Sequence, residues 1–359
     1  MSGWLGIVAG CVRVTVPATP SEVTDSPSPM PQSSPVVLTG AVVVGLGQAD
    51  VRFEGGRITG LGDVSLDGAT VVALPGQFLV PGVIDSHVHL AYMPKATELA
   101  DGGVVAVVDL ASPISWLAAR PVVPRVLASG PMVTAVNGYP VTSWGSGGYG
   151  TECEDAAAAD AAVDAHVAAG AGVIKLPVTS APVLADDALA SAASRAHALG
   201  LLVVSHALSD ANAASAAAAG ADWLAHTPTE ALSASTLSAW SGKGVISTLR
   251  AFGGGADTIA NLRALREAGA TVVYGTDFGN TSTLGVDADE LTLMASAGMT
   301  PAEILAAATS VPATTWGFAD LGELAVDHAA TLLVLETDPL IDPTALARPS
   351  AVWIDGVQR

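Results

Sequence analysis

The chain has 359 residues, of which half are hydrophobic and 13% are charged, and its formal net charge is −20. Nucleic-acid binding needs clustered Lys and Arg, and the 14 basic residues form no cluster, so no nucleic-acid partner is expected. Two cysteines, Cys11 and Cys153, are too few for a disulfide framework or a cysteine-based zinc site. No apolar run reaches the roughly 18 residues that span a bilayer, so we expect a cytoplasmic protein without a transmembrane segment.

The first 35 residues differ in composition from the rest of the chain. A short apolar run, WLGIVAGC, ends at Cys11, and Pro, Ser and Thr are frequent from there to Pro35. Small residues before a cysteine also end bacterial lipoprotein signals, but no Lys or Arg precedes this run and it is short for a signal peptide. We expect residues 1–35 to be a disordered leader. The alternative is a signal or tether, in a protein lipid-anchored or exported through Cys11.

Short antiparallel strands are predicted over residues 36–80, where apolar residues alternate between glycine turns. The segments are VVLTGAVVVG, ADVRFEGGRITGLG and ATVVALPGQFLVPG. The far end of the chain, residues 322–359, has the same character, from TLLVLETDPL to AVWIDGVQR. Both ends of the chain are therefore predicted to be β structure.

The middle of the chain, residues 81–321, alternates alanine-rich helical stretches with short apolar strands. Four helices open at Asp, Glu or Ser and close at a glycine, and the strands after them end at Lys175, His206, His226 and Asp277. With GVIDSHVH, GVVAVVDL, RVLASG and GVISTL there are eight strands. Helix–strand alternation implies a parallel sheet, and eight strands predict a closed (β/α)8 TIM-like barrel in the α/β class.

Polar residues at the carboxyl ends of these strands are the candidate functional residues. The carboxyl ends of barrel strands meet at one mouth, where catalysis occurs in this fold. His87 and His89 point to the same side of their strand, and a charged Lys175 in an apolar strand is costly unless it is paired or modified. Together these residues predict a metal site. Six residues make up the set: His87, His89, Lys175, His206, His226 and Asp277. The other three histidines, His166, His197 and His328, are expected to be ordinary surface or capping residues.

Several segments resemble those of the amidohydrolase superfamily. FLVPGVIDSHVHL resembles the signature before its first-strand histidine pair, and GVIK, SHALS, ADWLAHTP and YGTDFG resemble its later strand ends. EGGRITGLG and VLETDPLIDP with AVWIDGVQR resemble the composite β-sandwich that both chain ends build in this superfamily. The resemblance covers nearly everything from Val36 to Arg359, although the sequence DHAATLLVL lacks the usual acidic residue before its strand.

The resemblance implies the two-metal subtype of this superfamily. His87, His89 and Asp277 would hold one divalent metal ion, for which we expect zinc, and His206 and His226 would hold the other. Lys175 would bridge them as an N-carboxylated lysine formed with carbon dioxide. A hydroxide shared by both metals would attack the carbonyl, and Asp277 would carry the proton to the leaving nitrogen.

A C–N amide bond in a small molecule is the implied target: a dipeptide, an N-acyl amino acid or a cyclic amide. ASGPMVTAVNGYP and GAGVIKL resemble the Xaa-Pro dipeptidase-like and imidazolonepropionase-like members. We expect substrate contacts from Tyr139 and Tyr149 in the glycine-rich loop 130–150, whose alternative is a plain surface loop. Arg250 is expected either to clamp a substrate carboxylate or to pair with a neighbouring acid.

Other functions remain open at this level. The same site would hydrolyse a lactone or an ester. A mononuclear deaminase is disfavoured because Ser209 stands where such enzymes usually carry Glu, and because Lys175 would then have no role. A non-catalytic binding protein would not need all six side chains. The sequence does not decide between a monomer and a homo-oligomer.

Overall fold

The structure is a computed structural model and describes residues 34–359. Most of the predicted leader, including Cys11, lies outside the described residues. Between residue 34 and the first predicted barrel strand there are seven short strands. They are β1 Val36–Thr39, β2 Val42–Val43, β3 Gly47–Gln48, β4 Asp50–Glu54, β5 Arg57–Gly62, β6 Thr70–Ala73 and β7 Phe78–Pro81.

The middle of the chain alternates strands and helices, as the sequence predicts. The elements up to residue 177 are β8 Val83–Val88, α1 Ala96–Asp101, β9 Val104–Asp109, β10 Arg125–Ala128, β11 Met132–Ala135, β12 Gly150–Cys153, α2 Ala156–Ala168 and β13 Ile174–Pro177. The next are α3 Asp186–Ala198, β14 Val203–His206, α4 Asp210–Ala218, β15 Trp223–Leu224, α5 Ala234–Ala239, β16 Gly244–Ile246, α6 Ala256–Glu267 and β17 Thr271–Val273. Three helices follow, α7 Ala288–Ser296, α8 Pro301–Ala308 and α9 Ser310–Trp316.

Local sequence signals explain where the helices begin and end. The side chain of Asp155 accepts a hydrogen bond from the backbone of Ala158 at the start of α2, and Ser209 caps α4 in the same way. Both helices are rich in alanine, the residue with the highest helix propensity. The glycine after α2, Gly170, has a φ of 99°, which a residue with a side chain rarely adopts, and it lets the chain turn into the next strand.

Three groups of parallel strands line the middle of the chain. One has the order β10-β9-β8, the second pairs β11 with β12, and the third has the order β13-β14-β15-β16-β17. Backbone hydrogen bonds also connect β8 with the chain beyond β17, from Ser86 N to Tyr274 O (2.9 Å) and from His89 N to Phe278 O (2.7 Å). The first and last strands of this region are therefore neighbours.

Strands from both ends of the chain share one sheet. The last strands are β18 Leu332–Leu335, β19 Ala351–Ile354 and β20 Val357–Gln358. They form a six-stranded sheet with the order β20-β19-β18-β7-β2-β3, while β5-β4-β1-β6 form a four-stranded sheet. Buried side chains from both sheets, among them Phe53 and Trp353 at 5.1 Å between ring centroids, form one apolar cluster.

A larger apolar core surrounds the parallel strands and is built mostly from Val, Ala and Leu. None of the helices between residues 34 and 359 has the length and apolar character needed to cross a membrane.

Candidate metal centre

Five of the six predicted site residues lie at or just beyond the carboxyl ends of parallel strands, Lys175 lies within β13, which continues to Pro177, and all six are buried. His87 and His89 belong to the end of β8, Lys175 to β13 and His206 to β14, whereas His226 and Asp277 follow β15 and β17. Burial follows from the apolar strands that carry these residues. Six polar groups are thereby placed out of contact with bulk water.

Three of these residues form a compact group of metal-ligand type. The ligand atoms of His87, His89 and Asp277 lie within 4.8 Å of one another. Asp277 Oδ1 is 3.1 Å from His89 Nε2 and 3.5 Å from His87 Nε2. The structure therefore has a His–His–Asp group that can hold a metal ion.

The two remaining histidines adjoin this group. The ring centroid of His226 is 4.5 Å from that of His87, and the ring centroid of His206 is 4.7 Å from that of His226. Burial and the nearby charge of Lys175 lower the pKa of His206 to about 3. Burial also lowers the pKa of His226 well below its usual value. Both imidazoles are therefore neutral at physiological pH, which is the form that binds metals.

Hydrogen bonds fix the orientation of two histidine rings. His87 Nδ1 donates to the carbonyl of Ala225 at 2.8 Å, so its Nε2 carries a lone pair, and Nε2 has no partner among the described residues. His226 Nδ1 is 3.0 Å from Thr248 Oγ1. Such outer contacts select the tautomer that presents the other nitrogen to a metal.

The backbone at two of these positions is strained. Asp277 has a φ of 56° and Thr248 has a φ of 38°, in the left-handed region that residues other than glycine rarely adopt. Asp277 is held there by a hydrogen bond from its backbone N–H to the carbonyl of His87. Strain of this kind is concentrated at functional sites, because the surrounding structure must compensate for it.

Lys175 is the least satisfied group in the site. Its side chain is fully buried, and its Nζ has no hydrogen-bond partner among residues 34–359. Burial lowers the pKa of Lys175 to about 7, although Asp277 acts in the opposite direction. Burial would raise the pKa of Asp277 too, but His87 and His89 hold it below its usual value. A buried amine without a partner is costly, and the charge of this one interacts with the Asp277 carboxylate and with His87, His206 and His226.

An aromatic cluster borders the site on one side: Tyr92, Tyr139, Trp144 and Tyr149. The Tyr139 ring packs on His206 at 4.9 Å, and the Trp144 ring packs on His89 at 4.9 Å. Trp144 Nε1 donates a hydrogen bond of 2.8 Å to the Tyr139 hydroxyl. Burial raises the pKa of Tyr139 to about 12. Both predicted tyrosines thus belong to this cluster, and Tyr139 directly contacts a predicted ligand.

Arg250 pairs with neighbouring acids, which is one of the two alternatives expected from the sequence. Its guanidinium donates to Asp287 Oδ2 at 2.7 Å and lies 3.2 Å from Asp289 Oδ2. It also donates to the hydroxyl of Thr283. A substrate carboxylate that binds Arg250, as predicted, would have to compete with the carboxylates of Asp287 and Asp289.

A cavity of about 420 Å³ opens beside His206. It is formed by the segments that follow β13, β14 and β15, and its lining is mainly hydroxyl and amide groups. Its position next to a predicted ligand makes it the candidate binding space for part of a substrate.

Sequence reasoning missed several residues around the site. Asp109 ends β9, and its Oδ2 accepts a hydrogen bond of 2.7 Å from Leu90 N, beside His89; the strand-end rule could have found it. Asp85 accepts from the backbone N–H groups of His87 and Thr276, which joins the first and last strands. Phe252 packs on His226 at 4.9 Å, and no local signal marks it.

The expectation for His166 was wrong. Its side chain is buried, and its Nε2 is 2.8 Å from Thr151 Oγ1. It occupies the inward face of α2 together with Ala159, Ala162 and Val163, a spacing that places these residues on one side of a helix.

Comparison with known proteins identifies a family for this chain and agrees with its α/β fold. The model of the Amidohydrolase family matches residues 78–359. The uncharacterized proteins Rv2915c of Mycobacterium tuberculosis (strain ATCC 25618 / H37Rv) and Mb2939c of Mycobacterium bovis are each 28% identical over 325 residues, which cover 78% of this chain and 85% of theirs.

Solved structures share the α/β fold. A Xaa-Pro dipeptidase with bound methionine has a TM-score of 0.77 at 19% identity, covering 91% of this chain and 100% of that one. A putative prolidase from Bifidobacterium longum also has a TM-score of 0.77, at 25% identity, covering 92% of this chain and 95% of that one. Phenylurea hydrolase B has a TM-score of 0.74 at 20% identity, covering 91% of this chain and 97% of that one. With the family match extending over most of its length, the chain belongs to the amidohydrolase family, whose members are hydrolases of carbon–nitrogen bonds.

Proposed function

We propose that this chain is a two-metal hydrolase of a C–N amide bond. The observation that carries the proposal is Lys175, a fully buried amine with no hydrogen-bond partner among the described residues, close enough to Asp277 and three of the histidines for their charges to interact. A protonated amine repels metal ions, whereas a carboxylated amine is an anionic oxygen ligand. The donor set therefore fits a pair of divalent cations bridged by a modified lysine.

His87, His89 and Asp277 would hold one cation, and His206 and His226 would hold the other. Neutral Lys175 would form an N–C bond to carbon dioxide and release one proton to solvent, which gives an anionic carbamate with two oxygens. We expect zinc, because imidazole and carboxylate ligands suit it. Bound divalent cations would supply Lewis-acid activation of the attacking water and of the substrate carbonyl.

Asp277 is the proposed proton carrier. Its pKa lies below the usual value, so the group is an ionised carboxylate at neutral pH. In the proposed reaction it takes a proton from the attacking water and gives one to the leaving nitrogen as the C–N bond breaks. The products are a carboxylic acid and an amine.

We also propose the finer architecture and the substrate range. The hydrogen bonds between β8 and the chain beyond β17 support a closed (β/α)8 barrel over residues 81–321. The sheet shared by both chain ends supports a composite sandwich of residues 36–80 and 322–359. Similarity to a dipeptidase and to a urea hydrolase supports a dipeptide, an N-acyl amino acid or a cyclic amide. A lactone or an ester is the alternative substrate.

Metal analysis and a substrate panel test the proposal together. Protein prepared without chelator should carry about two equivalents of divalent metal. It should hydrolyse at least one member of a panel of dipeptides, N-acyl amino acids, cyclic imides, ureas and lactones, and lose that activity when the metal is removed. One equivalent with full activity would contradict the two-metal site. Activity restricted to amine release from a heterocycle would favour the deaminase.

A further inference from the structure

The cavity beside His206 has an acidic and hydrogen-bonding lining. Its polar lining residues besides His206 are Thr179, Ser180, Ser209, Asn212, Thr229 and Glu230. Glu230 is exposed and forms no ion pair with the side chains of residues 34–359. The cavity thus holds one free negative charge and no Lys or Arg.

Nearby positive charge is already neutralised. Arg250 follows the next strand, β16, and is held by Asp287 and Asp289. Asp287 is buried and accepts from Arg250 at 2.7 Å, so withdrawal of the guanidinium would leave a buried carboxylate without its partner. Among the described residues, neither Arg250 nor the lining of the cavity therefore offers an unpaired Lys or Arg side chain to a substrate carboxylate.

The net charge of the chain acts in the same direction. A formal charge of −20 repels anions and attracts cations at long range, although salt screens this effect beyond about 10 Å. At short range Glu230 acts directly, because it lines the candidate binding space beside His206.

We propose that the substrate group bound in the cavity beside His206 is neutral or cationic, an amide or an amine, and that Glu230 selects against a carboxylate there. This inference rests on the proposed amide hydrolysis. The expected substrates are amides in which the group bound in this cavity is a neutral amide or a basic amine. Free dipeptides, which carry an ionised α-carboxylate, are not expected to be good substrates.

A matched substrate series tests the inference. Two parent compounds, Ala-Pro and N-acetyl-phenylalanine, are each prepared as the free acid, as the primary amide, and with the carboxylate replaced by an aminomethyl group. Values of kcat/KM are measured with the metal-loaded full chain at low and high salt. The amide and the amine should exceed the acid by at least about tenfold, and high salt should reduce the difference between amine and acid.

Glu230→Gln keeps the size of the side chain and removes its charge. The amine should lose about threefold and the acid should gain about threefold in kcat/KM, with the amide unchanged, because a partly exposed charge pair contributes only modestly. Glu54→Gln, on β4 in the four-stranded sheet, changes the net charge equally and should leave all three values unchanged. This control separates the local charge from the overall field.

Three outcomes would overturn the inference. The acid could be the best substrate, or Glu230→Gln could leave the ratio of amine to acid unchanged. Arg250→Met could raise KM for the acid alone, which would show that the guanidinium binds a carboxylate despite its two partners. In these cases the enzyme is active and the proposed amide hydrolysis stands. A protein that hydrolyses none of the six compounds and carries no metal would overturn both.

Discussion

At the scale of single residues, Lys175 is the most informative side chain in the protein. A fully buried lysine without a partner is destabilising unless its charge is removed or neutralised. The other polar groups around it do not accept a hydrogen bond from Nζ. Its retention in an apolar strand therefore favours a chemical role over a structural one.

Lys175→Ala should lose bound metal and activity together, because no other group would bridge the two cations. Short carboxylic acids should restore part of the activity by occupying the gap. Lys243→Ala is the control: Lys243 precedes β16, at the opposite end of the strands, and donates to the carbonyl of Ala221. That variant should keep its metal. Elemental analysis and kinetics check both variants, and full metal content in Lys175→Ala would refute the bridging role.

Tyr139→Phe should lower kcat/KM. The indole N–H of Trp144 donates to the Tyr139 oxygen, so the phenol keeps its own proton to offer to a substrate. Phenylalanine retains the ring against His206 but not the hydroxyl, and we expect kcat/KM to fall by about tenfold, in line with one lost hydrogen bond. Metal content should not change. An unaltered kcat/KM would exclude the hydroxyl from the reaction.

At the scale of elements, sequence signals predict the features that depend on neighbouring residues, such as the ends of helices. Asp155, Ser209 and the glycines that follow the helices define the helix limits, and the polar residues at strand ends predict the candidate site. The partners of Arg250 lie on and just before α7, more than thirty residues away, and no pattern in the sequence connects them. The packing of Trp144 on His89 is likewise a product of loop folding.

Helix α7 supports the turn after β16 through Glu290. The Glu290 carboxylate accepts from Leu249 N at 2.9 Å and from Arg250 N at 2.7 Å, and burial raises its pKa from 4.5 to about 7. Between these two values the folded protein keeps a proton that the unfolded chain has released. The free energy of unfolding contributed by this group therefore decreases as the pH rises from 4.5 to 7.

Glu290→Gln should remove this pH dependence. The free energy of unfolding of the wild type minus that of the variant should decrease by about 3 kcal/mol between pH 4.5 and 7 and stay constant at higher pH. Denaturant unfolding at several pH values measures the difference, and using a difference cancels the titration of all other groups. A difference that rises with pH would mean that Glu290 is ionised more readily when folded.

At the scale of the whole molecule, the metal site connects distant parts of the chain. Its predicted ligands come from β8, β13 and β14 and from the segments after β15 and β17, so they reach from the first parallel strand of the middle region to the last. Bound cations would join these strands directly. They would also compensate the buried, unpartnered nitrogens of Lys175 and His87.

Removal of the metal should therefore lower the melting temperature of the entire α/β region. A ligand at 100 times its Kd stabilises the folded state by about 2.7 kcal/mol, which for a chain of this size corresponds to a Tm shift of about 4 °C. Calorimetry of the protein with chelator, and again after zinc and bicarbonate are restored, measures the shift. Lys175→Ala should show a much smaller response to the same additions. Identical melting of metal-free and metal-loaded wild type would mean that the cluster of histidines does not bind metal in the folded chain, and the two-metal proposal would fail with it.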